Sequence, residues 1–154
     1  EPGFIRVEAD EVTYPFHIIL RYRLEKLLIN GELKVEDLPS AWREGMQELL
    51  GIDPPDDGDG CLQDIHWYGG DFGYFPTYTL GALTGAQMFS AATEQNMDIL
   101  SSIGLGDFKP LYDWLGPKVH SLACSLPAFS LIEQATGAPL STKAFKRHLR
   151  ERYL

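Results

Sequence analysis

Phe16-His17-Ile18-Ile19-Leu20-Arg21-Tyr22-Arg23-Leu24-Glu25-Lys26-Leu27-Leu28-Ile29-Asn30-Gly31 is the stretch that decides the fold. Within it Phe16, Ile19, Leu20, Leu24, Leu27 and Leu28 recur at three-to-four spacing, the period of a helix that turns an apolar stripe toward a core. Asn30-Gly31 is a C-terminal stop, since glycine takes the left-handed backbone that closes a helix without steric penalty. The pattern reaches back to about residue 10. Pro15 then falls in the first turns, so either Thr13 is the N-cap or the helix kinks at the proline. The expectation is one long amphipathic helix over 10–29.

Working outward, Ser40 is placed to cap a second helix carrying Trp42, Met46, Leu49 and Leu50, which Gly51 ends. A third is expected over 80–95, where Gly81, Ala82, Gly85 and Ala86 would let another helix approach closely and so predict burial. Short helices follow over 97–103, 110–115, 117–124 and 127–136, several opened by a proline suited to the first turn. Ser141 or Thr142 then caps a terminal helix through Phe145, Leu149 and Tyr153. With no strand alternation, internal repeat or low-complexity tract, the chain is read as all-α. It is expected to form a single helical region, 1–154, made of helices over 1–51, a loop over 52–78 and a bundle over 79–154.

At 154 residues the chain can bury a core. Its net charge of −9 argues against nucleic acid as the main partner, because phosphate binding needs a basic face. Asp53, Asp56, Asp57 and Asp59 make one loop acidic, while Lys143, Lys146, Arg147, Arg150 and Arg152 make the last helix basic. Both are read as solvated or mutually paired surface, and the acidic loop lacks the alternation and terminal Glu of a calcium loop. No apolar run approaches the roughly 18 residues of a membrane span, so no membrane partner is expected. Cys61 and Cys124 lie far apart and form no disulfide framework, which with the lack of a signal-like opening predicts a cytoplasmic protein. The start at Glu1-Pro2-Gly3-Phe4, directly on a motif-like segment, leads us to expect a fragment.

The segment Gly60-Cys61-Leu62-Gln63-Asp64-Ile65-His66-Trp67, running on through Phe72-Gly73-Tyr74-Phe75-Pro76-Thr77-Tyr78, has no amphipathic period and is crowded with aromatics and hydrogen-bonding groups. Burying such polar heads costs a few kcal/mol each unless they are paired, at about the magnitudes known for amides and hydroxyls. A binding wall is the expectation. A Cys61–His66 nucleophilic pair is disfavoured because nothing would orient the imidazole or form an oxyanion hole. Gly69-Gly70-Asp71-Phe72-Gly73 lacks the Lys-Ser/Thr end of a phosphate loop and is read as a hinge or a close backbone approach.

Together with Ile5-Arg6-Val7-Glu8-Ala9-Asp10, this segment resembles the carboxypeptidase Taq family of metal-dependent carboxypeptidases. The resemblance extends through Glu11-Val12-Thr13-Tyr14, His17 and Arg21 to the Phe72–Tyr78 run, and weakly to Ala135-Thr136-Gly137. It implies the C-terminal part of a longer all-helical peptidase that removes C-terminal residues from peptides using a divalent metal, zinc or cobalt. The chain would then be one side of the active-site groove. The family holds its metal with an H-E-x-x-H helix, in which two His share a helix face and the Glu activates water. Here His17, His66, His120 and His148 are followed by Ile18, Trp67, Ser121 and Leu149, so no metal is expected on this chain alone, which should not hydrolyse peptides unaided.

The resemblance assigns Arg6 to the substrate's terminal carboxylate, a task suited to a planar, always-charged guanidinium; from the residues alone, a surface pair with Glu8, Asp10 or Glu11 stays open. Tyr78, with Tyr74 beside it, is expected to donate to the oxyanion, unless either is plain wall. His66 is expected to bind the carboxylate or stabilise charge, with Gln63 and Asp64 orienting it, and a histidine satisfied inside a buried polar network is the alternative. His17, His120 and His148 are read as structural or surface residues. Expected partners are a peptide with a free C-terminus, the missing N-terminal part of the enzyme and a second copy of the chain. The rival is a non-catalytic helical module that binds peptides or another protein.

Overall fold

The computed structural model describes residues 1–154. It contains seven α-helices and no strand: α1 Tyr14–Ile29, α2 Leu38–Leu50, α3 Pro76–Gln95, α4 Asp98–Gly104, α5 Lys109–Leu115, α6 Ala128–Thr136 and α7 Lys143–Tyr153. No helix is long and apolar enough to cross a membrane. The chain divides into two compact units, Glu1–Thr79 and Leu80–Leu154, with α3 giving its first turn to the former.

In the first unit α1 packs on α2 around Leu20, Leu24, Trp42, Met46, Leu50 and Cys61. The contact is close because α2 offers Gly45, where an added Cβ would sit 2.2 Å from Leu20 Cδ1. Helix α1 starts after Thr13 with Pro15 in its first turn, so the proline sits where its missing N–H is harmless. The cap is not the Thr13 side chain: Asp10 Oδ1 accepts from the Val12 and Thr13 amides and the Thr13 hydroxyl. Helix α2 begins two residues ahead of Ser40, and Gly51 closes it at φ 71°. The expected amphipathic character of α1 is corrected. Phe16, Ile19, Tyr22 and Leu27 remain exposed, whereas His17, Arg21 and Glu25 are buried; the helix turns polar groups inward.

In the second unit Ala91, Ala92, Ile99, Trp114 and Ala135 form the core. Gln87 is buried and fully bonded, its amide donating to Thr136 Oγ1 and the Ala138 and Pro139 carbonyls while its oxygen accepts from Ser141 N. One side chain thereby fixes the turn between α6 and α7. The stretch expected as a helix over 117–124 is instead a single π turn, Gly116–His120. Helix α3 starts at Pro76, ahead of the expected residue 80, so Tyr78 stands on a helix and not in the loop. The predicted close approach at its small residues is absent: a Cβ at Gly81 or Gly85 would meet nothing within 4 Å.

Candidate functional site

His17, Arg21 and Glu25 are spaced i, i+4, i+8 along α1, which stacks them on one face. That face meets the 60–75 segment. Arg21, fully buried, is extended by its hydrogen bonds: Nε donates to Asp64 Oδ2 at 2.5 Å, Nη1 to the His17 carbonyl at 2.9 Å and Nη2 to Gln63 Oε1 at 2.8 Å. Its guanidinium carbon lies 4.6 Å from the centre of the Trp42 ring, a desolvated cation–π contact. Arg6 sits in a short 3₁₀ turn, Arg6–Glu8, and approaches the same carboxylate from the other side. Its Nε donates to Asp64 Oδ1 at 2.9 Å, Nη2 lies 2.8 Å from that oxygen, and Nη1 donates to the Tyr14 hydroxyl at 2.8 Å. Gln63 completes the joint by accepting from the Arg6 amide and donating to the Phe4, Asp59 and Gly60 carbonyls.

Two guanidiniums therefore share one carboxylate, a local surplus of one positive charge. Burial alone would raise the Asp64 carboxyl, yet the Arg21 charge and the hydrogen bonds from Arg6 and Arg21 hold it below the usual range. Burial pulls Arg21 down to about 10 despite Asp64. Arg6, whose desolvation is outweighed by Asp64 and Tyr14, is raised. His17 is fully buried and lowered to about 4, first by burial and then by the Arg21 charge. Gly3's backbone weakly favours its charged form, but neither ring nitrogen reaches hydrogen-bond geometry.

An aromatic mouth adjoins this charge cluster. His66 Nε2 is 3.0 Å from the Tyr78 hydroxyl, and His66 Nδ1, otherwise unpartnered, is 3.8 Å from Asp64 Oδ1. Tyr74 and Tyr78 rings meet edge-on at 5.4 Å, Tyr14 and Tyr78 at 6.2 Å. Arg6 faces the Tyr78, Tyr14 and Phe75 rings at 5.1, 5.9 and 5.9 Å. Burial raises the Tyr78 hydroxyl against the opposing Arg6 charge, so it is held as a protonated donor. Cys61 is buried with its thiol pushed up by desolvation, which leaves it unreactive.

All six residues singled out from the sequence thus meet in the first unit: Gln63 and Asp64 at the charge joint, Arg6 bridging it to the rings, His66, Tyr74 and Tyr78 at the mouth. Where the residues alone left a surface pair open for Arg6, the ion pair found is with Asp64. Sequence reasoning missed Arg21, Tyr14 and Glu25 as members. The available signal was the i, i+4, i+8 spacing of three polar side chains within α1.

The donors present do not suit a metal ion. No group of three or more His, Cys, Asp or Glu side chains converges, and Asp64, 3.8 Å from His66, gives both oxygens to guanidiniums.

The profile described as carboxypeptidase Taq (M32) metallopeptidase matches residues 1–153. The chain is 44% identical over 153 residues to carboxypeptidase 1 of Bacillus subtilis and 45% identical over 153 residues to thermostable carboxypeptidase 1 of Thermus thermophilus, covering 99% of this chain and 30% of each relative. Among solved structures, Trypanosoma cruzi metallocarboxypeptidase 1 superposes with a TM-score of 0.94 at 41% identity, over 99% of this chain and 32% of that one. Pyrococcus furiosus carboxypeptidase gives 0.96 at 42% identity, over 100% and 31%. The chain belongs to the carboxypeptidase Taq (M32) metallopeptidase family and spans about 30% of the length of the curated relatives it matches.

Proposed function

We propose that this chain is the C-terminal part of a metal-dependent carboxypeptidase and supplies the subsite that receives a peptide's free C-terminal carboxylate. The observation that carries the reading is the buried surplus of positive charge: Arg6 and Arg21 against Asp64 alone. Of the five N–H donors on a guanidinium, Arg6 commits three to Asp64 and Tyr14, which leaves two for a ligand anion. Arg21 is locked by three partners and acts as the fixed counter-charge. Tyr78, with Tyr74 behind it, donates to the oxygen that gains charge as the peptide bond is attacked. His66 holds the Tyr78 hydroxyl, while Gln63 and Asp64 keep the guanidiniums in place.

The divalent metal, zinc or cobalt, belongs to residues outside this chain, as does the group that activates water. The exposed apolar side of α1, Phe16, Ile19, Tyr22 and Leu27, is where the rest of the enzyme covers this unit. A cytoplasmic setting is supported by two free cysteines.

The test is a family-length enzyme containing this region, carrying Arg6→Ala and assayed on peptide pairs that differ only in a free or amidated C-terminus. We expect kcat/KM for the free acid to fall by about a hundredfold, the scale of one lost charge-assisted pair of about 3 kcal/mol, with metal content unchanged. Equal loss on both peptides would remove the proposed role. A folded, metal-replete full-length protein that cleaved no peptide but bound one would favour the interaction-module reading.

A further inference from the structure

Glu25 is buried on α1 and has no part in the carboxylate subsite, yet its two oxygens reach opposite ends of one loop: Oε2 accepts from Trp67 Nε1 at 2.9 Å and Oε1 accepts from the Gly73 amide. The five residues between are folded back on themselves. Gly70 N donates to the Trp67 carbonyl and Asp71 N to that of His66, Gly70 and Gly73 sit at φ 82° and 81°, and the Trp67 and Phe72 rings stack with planes 10° apart. Positive φ at both positions calls for glycine. The two points that Glu25 holds are the chain neighbours of His66 and Tyr74, whose rings lie 5.6 Å apart and flank Tyr78.

We infer that Glu25 is a positioning residue: it clamps the Trp67–Gly73 loop so that His66 and Tyr74 are delivered to the Tyr78 hydroxyl at fixed distance. The clamp needs an ionised carboxylate, because both of its partners are N–H donors and each oxygen must accept. In Glu25→Gln one arm would present N–H to N–H, and that arm must open. The shorter Asp could not span both donors. The inference rests on the proposed reading of His66 and Tyr78 as substrate-facing groups, and its test is independent of that reading.

The readout is the His66 imidazole, followed by NMR in the 154-residue chain well below the melting temperature. Opening either arm should change the distances from His66 to its neighbours Asp64, Tyr74 and Tyr78, and with them the ring-current and hydrogen-bond environment, so the His66 ring resonances should move well beyond their linewidth. Trp67→Phe, which keeps a ring in the core and removes only the indole donor, should do the same, and the double variant should change His66 by less than the sum of the two. Global destabilisation would lower the melting temperature without moving those resonances. Should Glu25→Gln fail to fold, Trp67→Phe decides the matter alone. Folded variants whose His66 ring resonances match the parent chain would overturn the inference. Carboxylate selectivity lost in Arg6→Ala with His66 undisturbed by Glu25→Gln would overturn the clamp alone; selectivity intact in Arg6→Ala would overturn only the subsite.

Discussion

Asp64 shows how much of this unit hangs on single atoms. Each oxygen faces a guanidinium in a site with side chains at most 10% exposed, so removing its charge strands two buried cations. Asp64→Asn should destabilise the first unit by about 3–5 kcal/mol, the range for a broken buried pair, seen as a shifted or lost cooperative transition in urea. His17 gives a second, pH-dependent prediction. Its imidazole binds a proton near pH 6.5 when unfolded and near pH 4 when folded, so the unfolded chain takes up the proton first. Stability is full above about pH 6.5, falls as the pH drops toward about 4, and loses up to ~3 kcal/mol across that window. Melting temperatures measured from pH 7 to pH 4 should trace this fall, and a folded His17→Leu variant should flatten it. The Asp64 carboxyl, held low by its arginines, is lost only below that range. These two effects are separable by pH.

At the scale of elements, the α1–α2 contact and the motif loop each depend on a glycine for a different reason. Gly45→Ala would drive a methyl into Leu20, itself only 2% exposed; overpacking of this kind costs about 1–3 kcal/mol, to be read from equilibrium unfolding. Gly73 has open space around it but a φ of 81°, so Gly73→Ala carries backbone strain of about 1 kcal/mol. Helix existence was legible for all seven α-helices, though not over 117–124, where a single π turn stands, since periodicity and stop residues such as Gly51 and Gly137 act locally. What was not legible was sidedness. In α1 the apolar repeat is real, but Phe16 and Ile19 point outward while His17 and Arg21 are buried, and Arg21 is admitted because Asp64 and Gln63, distant in sequence, satisfy its guanidinium. The start of α3 was placed late for a similar reason. Pro76-Thr77-Tyr78 is read as loop by its aromatics, yet proline at a helix start is favourable and Thr77 bonds back to the Tyr74 carbonyl.

At the scale of the molecule, each unit leaves apolar side chains of its own exposed. Phe16, Ile19, Tyr22 and Leu27 lie on α1 in the first unit, and Leu80 and Phe89 lie on α3 in the second, where Gly81 and Gly85 are open. Exposed apolar side chains of this kind favour association. The isolated chain should therefore form concentration-dependent oligomers in light scattering, and the pair Phe16→Lys and Ile19→Glu should shift it toward monomer while the His66–Tyr78 contact persists. A chain that stays monomeric at all accessible concentrations would contradict this.

The amino-acid order alone determined the all-α class, the family and the six residues that gather at the motif loop, because helix periods, stops and short motifs are written in neighbouring positions. Tertiary structure decided what those residues do to one another: which carboxylate neutralises Arg6, that Arg21 joins it, that Glu25 fastens the loop. Charge pairing and desolvation join residues more than forty positions apart in the chain, as with Arg21 and Asp64, and such partners are chosen only when the chain is folded.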